Sequence, residues 1–125
     1  MKMSKDDLAS RLADDIDPEL LSFIQTKVNT FIKWDLVRFF HDNPYTTDTA
    51  DGVARYTGRN VQAVEPELRA LAECGVLNLT PLNEMQVYTL TGSPETRRLI
   101  DIFIAACDDR QFRVKAIYHV IRGMR

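Results

Sequence analysis

The sequence predicts a mainly α-helical domain that carries one small β-hairpin. Three observations carry that expectation. Apolar residues recur at helical spacing over most of the chain, two segments read as proline-bearing helix starts, and two β-type runs flank a single turn. The helix starts are Asp17-Pro18-Glu19 and Ser93-Pro94-Glu95. In each, the first side chain can cap and the proline takes a position whose N–H would have no partner. The glutamate then sits at the positive end of the helix dipole.

Taken in order, Leu8, Leu12 and Ile16 are spaced by four and predict a short acidic amphipathic helix. From Pro18, the residues Leu20, Leu21, Ile24, Val28, Phe31, Ile32, Leu36, Phe39 and Phe40 predict one long helix to about Asp42. Asn43-Pro44 ends it, because proline disfavours helical geometry in the residue before it. After an extended link at 45–48, Thr49 is a good cap for a short helix that buries Val53 and Ala54 and closes at Gly58. Asn60 can cap the next helix, about 60–75, which buries Val64, Leu68, Leu71 and Ala72 and ends at Gly75. Val76–Leu79 and Met85–Leu90 read as a hairpin around a Pro81–Glu84 turn. Leu99, Ile102, Phe103 and Ala106 follow Ser93 at helical spacing. A break near Asp108-Asp109 precedes a last helix through Phe112, Ile117, Val120 and Ile121.

The bulk properties exclude several classes. At 125 residues, 45% hydrophobic and 27% charged, the chain is the size of one domain with a real core and is not disordered in composition. No apolar stretch approaches the roughly 18 residues of a membrane span, and the acidic opening is unlike a signal peptide, so a cytoplasmic protein is expected. Cys74 and Cys107 are far apart and form no CxxC pair; with only His41 and His119 to supplement them, no metal site is expected. Both cysteines are read as small core residues. There is no glycine-rich phosphate loop and no GxSxG or HExxH pattern, so neither an enzyme nor a cofactor is expected. His41 beside Asp42 reads as a helix-end residue, His119 as a surface or interface residue, and Trp34 as core.

The order helix, link, short helix, glycine turn, helix, hairpin, helix resembles the winged helix-turn-helix domains of many bacterial and archaeal transcriptional regulators. The residues that carry the likeness run from Leu36-Val37-Arg38-Phe39-Phe40 through Thr49–Ala54 and Thr57-Gly58. They continue in Ala72-Glu73-Cys74-Gly75-Val76-Leu77 and Val87-Tyr88-Thr89-Leu90-Thr91. The resemblance implies a winged core over 34–92, an N-terminal helical extension over 1–33 and C-terminal helices over 93–125, all in one domain. It also implies double-stranded DNA as partner, with the third helix as recognition element. Carried over by position, the DNA-binding candidates are Arg55, Thr57, Arg59, Asn60, Gln62 and Arg69. Arginine suits guanine or phosphate, and asparagine or glutamine suits adenine.

Charge tempers that implication. The net charge is −2, and the window 59–75 sets Arg59 and Arg69 against Glu65, Glu67 and Glu73. The wing, 78–92, holds no lysine or arginine, and Pro66 lies inside the third helix. A protein–protein interaction module on the same fold is the alternative reading. Positive charge gathers instead at 108–125, opposite an acidic 1–20, which suggests that these ends pair within or between chains, the alternative being that the basic end touches nucleic acid or an acidic partner. Regulators of this type often dimerise through helices outside the winged core. A homodimer is therefore expected, with Phe23, Ile24, Phe31, Ile102, Phe103, Ile117, Tyr118 and Ile121 as interface candidates.

Overall fold

A computed structural model of the chain describes residues 16–124. Among them are six helices and one antiparallel hairpin: α1 (Pro18–Thr26), α2 (Phe31–Asp42), α3 (Ala50–Thr57), α4 (Val61–Glu73), β1 (Leu77–Leu82), β2 (Met85–Leu90), α5 (Pro94–Ala106) and α6 (Arg110–Gly123). The mainly helical, one-hairpin architecture is as the sequence predicts. The expected helix at Leu8–Ile16 lies outside the described residues, except for Ile16 itself, which is buried in the core.

Each helix opens on a side-chain cap that takes up an otherwise orphaned N–H. Asp17 Oδ1 accepts from the Glu19 and Leu20 amides, Thr49 Oγ1 from Gly52, Asn60 Oδ1 from Gln62, and Ser93 Oγ from Thr96. Asp109 Oδ1 does the same for Gln111 at the start of α6. The sixth cap, Thr30, corrects the sequence reading of one long helix over 18–42. Thr30 Oγ1 accepts from the Lys33 amide at 3.1 Å and starts α2 afresh. The break has a physical cause. Thr26 and Asn29 each bond back to a carbonyl four residues earlier, residue types that compete with the helical backbone. Val28 meanwhile turns fully into the core while its amide reaches the Phe23 carbonyl at 3.2 Å.

Between α3 and α4 the chain reverses at Gly58, whose φ of +70° is the left-handed conformation that glycine adopts without strain. The helix α4 runs through Pro66 without ending. Proline removes the amide that would reach Gln62, yet Val64 before it and Leu68 and Leu71 after it are fully buried and hold both halves.

The hairpin is longer and its turn tighter than expected. β1 extends to Leu82, with Pro81 opposite Gln86 and Leu82 opposite Met85, so only Asn83-Glu84 connect the strands. Asn83 takes a φ of +56°, which asparagine tolerates in two-residue turns. A two-stranded sheet leaves β1 with a free edge, where a proline costs no ladder bond. On its other edge β2 meets the link from α2: the Asp48 and Tyr88 amides each donate to the other's carbonyl, at 3.3 and 2.7 Å.

One core joins all the helices to the hairpin. Trp34 sits in it, edge-on to Phe103 with ring centroids 5.1 Å apart. On α5 the inner face is Ile100, Phe103 and Ile104, continued by the C-cap Cys107, which leaves Ile102 at 41% exposure. The helix α6 packs chiefly on α1 and turns Ala116, His119 and Val120 inward. His119, which the sequence reads as a surface or interface residue because of the basic side chains around it, is buried on the inner face of α6. No helix among the described residues is long and apolar enough to cross a membrane.

Candidate functional site

The DNA-binding candidates fall at the corner where α3 turns into α4, with Arg69 farther along α4. Arg55 is exposed in the last turn of α3 and makes no ion pair among the described residues. Thr57 is half-buried, and its hydroxyl donates to the Val53 and Ala54 carbonyls at 2.9 and 3.2 Å, so it is occupied in closing α3. Asn60 and Gln62 are both exposed, with the Asn60 carboxamide oxygen held at the helix start by the Gln62 amide. Ala63 is exposed beside them.

The two arginines of the α4 region are not free charges. The Arg59 guanidinium forms an ion pair and hydrogen bond with the Asp35 carboxylate on α2. Arg69 pairs with Glu65 one turn earlier, at 3.5 Å. A third pair, Lys33 to Glu67 at 3.5 Å, ties α4 to α2 again. Two of the three pairs thus tie α4, or the turn that leads into it, to α2, and Arg59 and Arg69 each already face a carboxylate, whereas Arg55 does not. The Arg59–Asp35 and Arg69–Glu65 pairs are half-exposed and worth only about 0–1 kcal/mol each, so a stronger anionic partner can exchange them. Lys33 and Asp35 are the residues that reading the sequence misses. They lie 24 or more positions from their partners, and no short-range pattern connects them.

Arg69 and Glu65 also line a cleft of about 330 Å³ between the start of α3, α4 and β2, with Thr49, Asp51, Gln86 and Tyr88. Tyr88 is buried, and that burial pushes its phenol above the ordinary range; Arg69 opposes the shift and Glu65 adds to it. On the outer side of α3, Tyr56 is largely exposed and stacks on Phe39 with centroids 6.2 Å apart.

The remaining candidates divide differently. Phe23, Ile24 and Phe103 are buried in the chain's own core, which removes them from any surface between copies; their helical spacing alone could not say which core they serve. Phe31, Ile102, Ile117 and Ile121 are exposed, and Tyr118 is half-buried. His41 lies between two carboxylates, Nδ1 at 3.1 Å from Asp42 and Nε2 at 3.3 Å from Asp101. Cys74 is half-buried and Cys107 buried. Burial pushes the Cys107 thiol up to about 11, against the neighbouring Arg38 and Arg113 charges that lower it. Among the described residues no group of three or more His, Cys, Asp or Glu side chains is placed to hold a metal ion.

No protein-family model matches the chain, and no curated protein is significantly similar to it.

Proposed function

We propose that the chain is a winged-helix protein of the transcription-regulator type that docks on double-stranded DNA through the first turns of α4. In this reading α2, α3 and α4 form the helical core, the hairpin is the wing, and the Asp48–Tyr88 bridge is its short third strand. One observation carries the proposal. The start of α4 presents Asn60, Gln62 and Ala63 to solvent next to the exposed Arg55, with two helix ends and a glycine turn at the same corner. A helix N-terminus of this kind fits the major groove and reads base edges with its first side chains. Arg59 joins the contact by exchanging Asp35 for a phosphate, and Arg69 by exchanging Glu65.

The test is fluorescence anisotropy with a mixed-sequence duplex across a salt series that starts near 20 mM, where surface electrostatics is least screened (the Debye length is on the order of 20–30 Å). Three arginine–phosphate contacts give a log–log slope of roughly −3. Asp35→Asn frees Arg59 and is expected to tighten binding severalfold, whereas Arg55→Ala with Arg59→Ala weakens it about tenfold or more.

A second reading, a winged-helix module that docks another protein, is favoured by a specific feature. The strands β1 and β2 and their turn hold no lysine or arginine, and Glu84 sits at the tip, so the hairpin has nothing to neutralise a phosphate backbone. Flat, undetectable DNA binding even near the lowest salt selects this reading over the first.

A further inference from the structure

About a third of a turn around from its buried face, α6 and its C-cap carry a second apolar stripe. Val114, Ile117, Ile121 and Met124 are 57, 39, 50 and 58% exposed and are spaced by three, four and three residues. That spacing is the seam of a helix–helix contact, with β-branched residues at its first three positions. The inner face is already occupied by the packing of Ala116, His119 and Val120, so among the described residues the stripe is surplus to the core.

Charge decides what fits the stripe. Between Arg110 and Arg125 the sequence has no carboxylate, whereas Arg110, Arg113, Lys115 and Arg122 all lie on α6. Arg110 falls on the line of the stripe one turn before Val114, Arg113 lies between the stripe and the buried face, and Arg122 and Lys115 lie beyond the stripe's other edge, within reach of it only through their long side chains. A second copy of α6 would bring two helices of like charge together, which disfavours self-pairing along this seam. A membrane-surface helix usually anchors with tryptophan or phenylalanine, and the stripe has neither. We infer that the stripe is the docking site for an amphipathic helix of another protein, apolar along one face and flanked by aspartate and glutamate. The basic flanks steer and orient the acidic helix, and the seam supplies the buried apolar contact. This inference is independent of the DNA reading.

The probe is a labelled 16-residue peptide with leucines at heptad seam positions and glutamates on both flanks, compared with a twin in which lysines replace the glutamates. Full-length chain is expected to bind the acidic peptide saturably and to bind the lysine twin at least tenfold more weakly. Ile117→Glu and Ile121→Glu, at exposed positions that leave the circular dichroism spectrum unchanged, each weaken binding about tenfold. Arg110→Glu with Arg122→Glu inverts the preference between the two peptides. Four outcomes overturn the inference: no binding; equal binding of both peptides; binding unaffected by the Ile117 and Ile121 variants; or binding to vesicles of anionic phospholipid in place of the acidic peptide. A sedimentation mass of two chains that Ile117→Glu returns to one chain also overturns it, because a second copy would then cover the stripe.

Discussion

At the scale of single residues, one glycine beside the candidate site is set by the side chain that a Cβ there would meet. Alanine in a helix is ordinarily more stable than glycine by about 0.5–1 kcal/mol. At Gly52 in α3 an added Cβ would overlap the carboxylate of Asp48, which itself accepts the Thr49 amide at 2.7 Å. Gly52→Ala is therefore expected to destabilise the fold by about 1–2 kcal/mol in urea titration. In an Asp48→Ala background the same change is expected to be neutral or stabilising. A loss of equal size in both backgrounds would show that the overlap is not the cause.

Cys107 gives a second residue-level expectation, with its sign fixed by proton linkage. The thiol ionises at 9.0 when unperturbed and is pushed up to about 11 in the fold by burial. Between those values the folded protein holds a proton that the unfolded chain has lost, so stability falls as pH rises from 9.0 to about 11. Cys107→Ala is expected to flatten that alkaline slope, leaving the smaller part due to the raised Tyr88 phenol. The midpoint of urea unfolding, followed against pH, reads the difference. Local chemistry of this kind is partly legible in sequence. Four helix caps could be named from residue type and spacing alone, because a cap and the amide it serves are two or three positions apart. The Arg59–Asp35 and Lys33–Glu67 pairs could not, because only the packing of α2 on α4 brings them together.

At the scale of elements, α4 is the one that breaks a local rule. Its interior Pro66 forgoes a backbone bond at a cost of about 3 kcal/mol, partly offset by the about 0.4–1 kcal/mol that proline removes from unfolded-chain entropy. Pro66→Ala is expected to raise the unfolding free energy by roughly 2 kcal/mol. A decrease would mean that the ring packs in a way its exposed position does not suggest. The misread elements fail for physical reasons of their own. The periodicity of 18–42 continues across the α1–α2 break because Val28 is buried in a turn and not on a helix face. Pro81 reads as a turn residue, but an edge strand accommodates it, and Asn83 makes the turn instead. On α6 two apolar faces overlap in one sequence pattern. The spacing finds both, and only packing separates the buried set from the exposed one.

For the whole molecule, the mainly helical architecture with one hairpin was legible because caps, glycine turns and apolar periods all agree. The division of surface was not. Formal charge is −2, yet what matters is where the charges point: at the start of α4 toward carboxylates already in place, and on α6 outward around an apolar stripe. The proposed account therefore gives the molecule two separate faces, the α3–α4 corner for DNA and α6 for an acidic helix. The most direct test of the first is the amide spectrum of isotope-labelled protein during titration with a short mixed-sequence duplex at low salt. The proposal predicts that the largest shifts cluster at Arg55 and at Arg59 to Ala63, with α6 unmoved. Shifts confined to 110–124, or none anywhere, would contradict it.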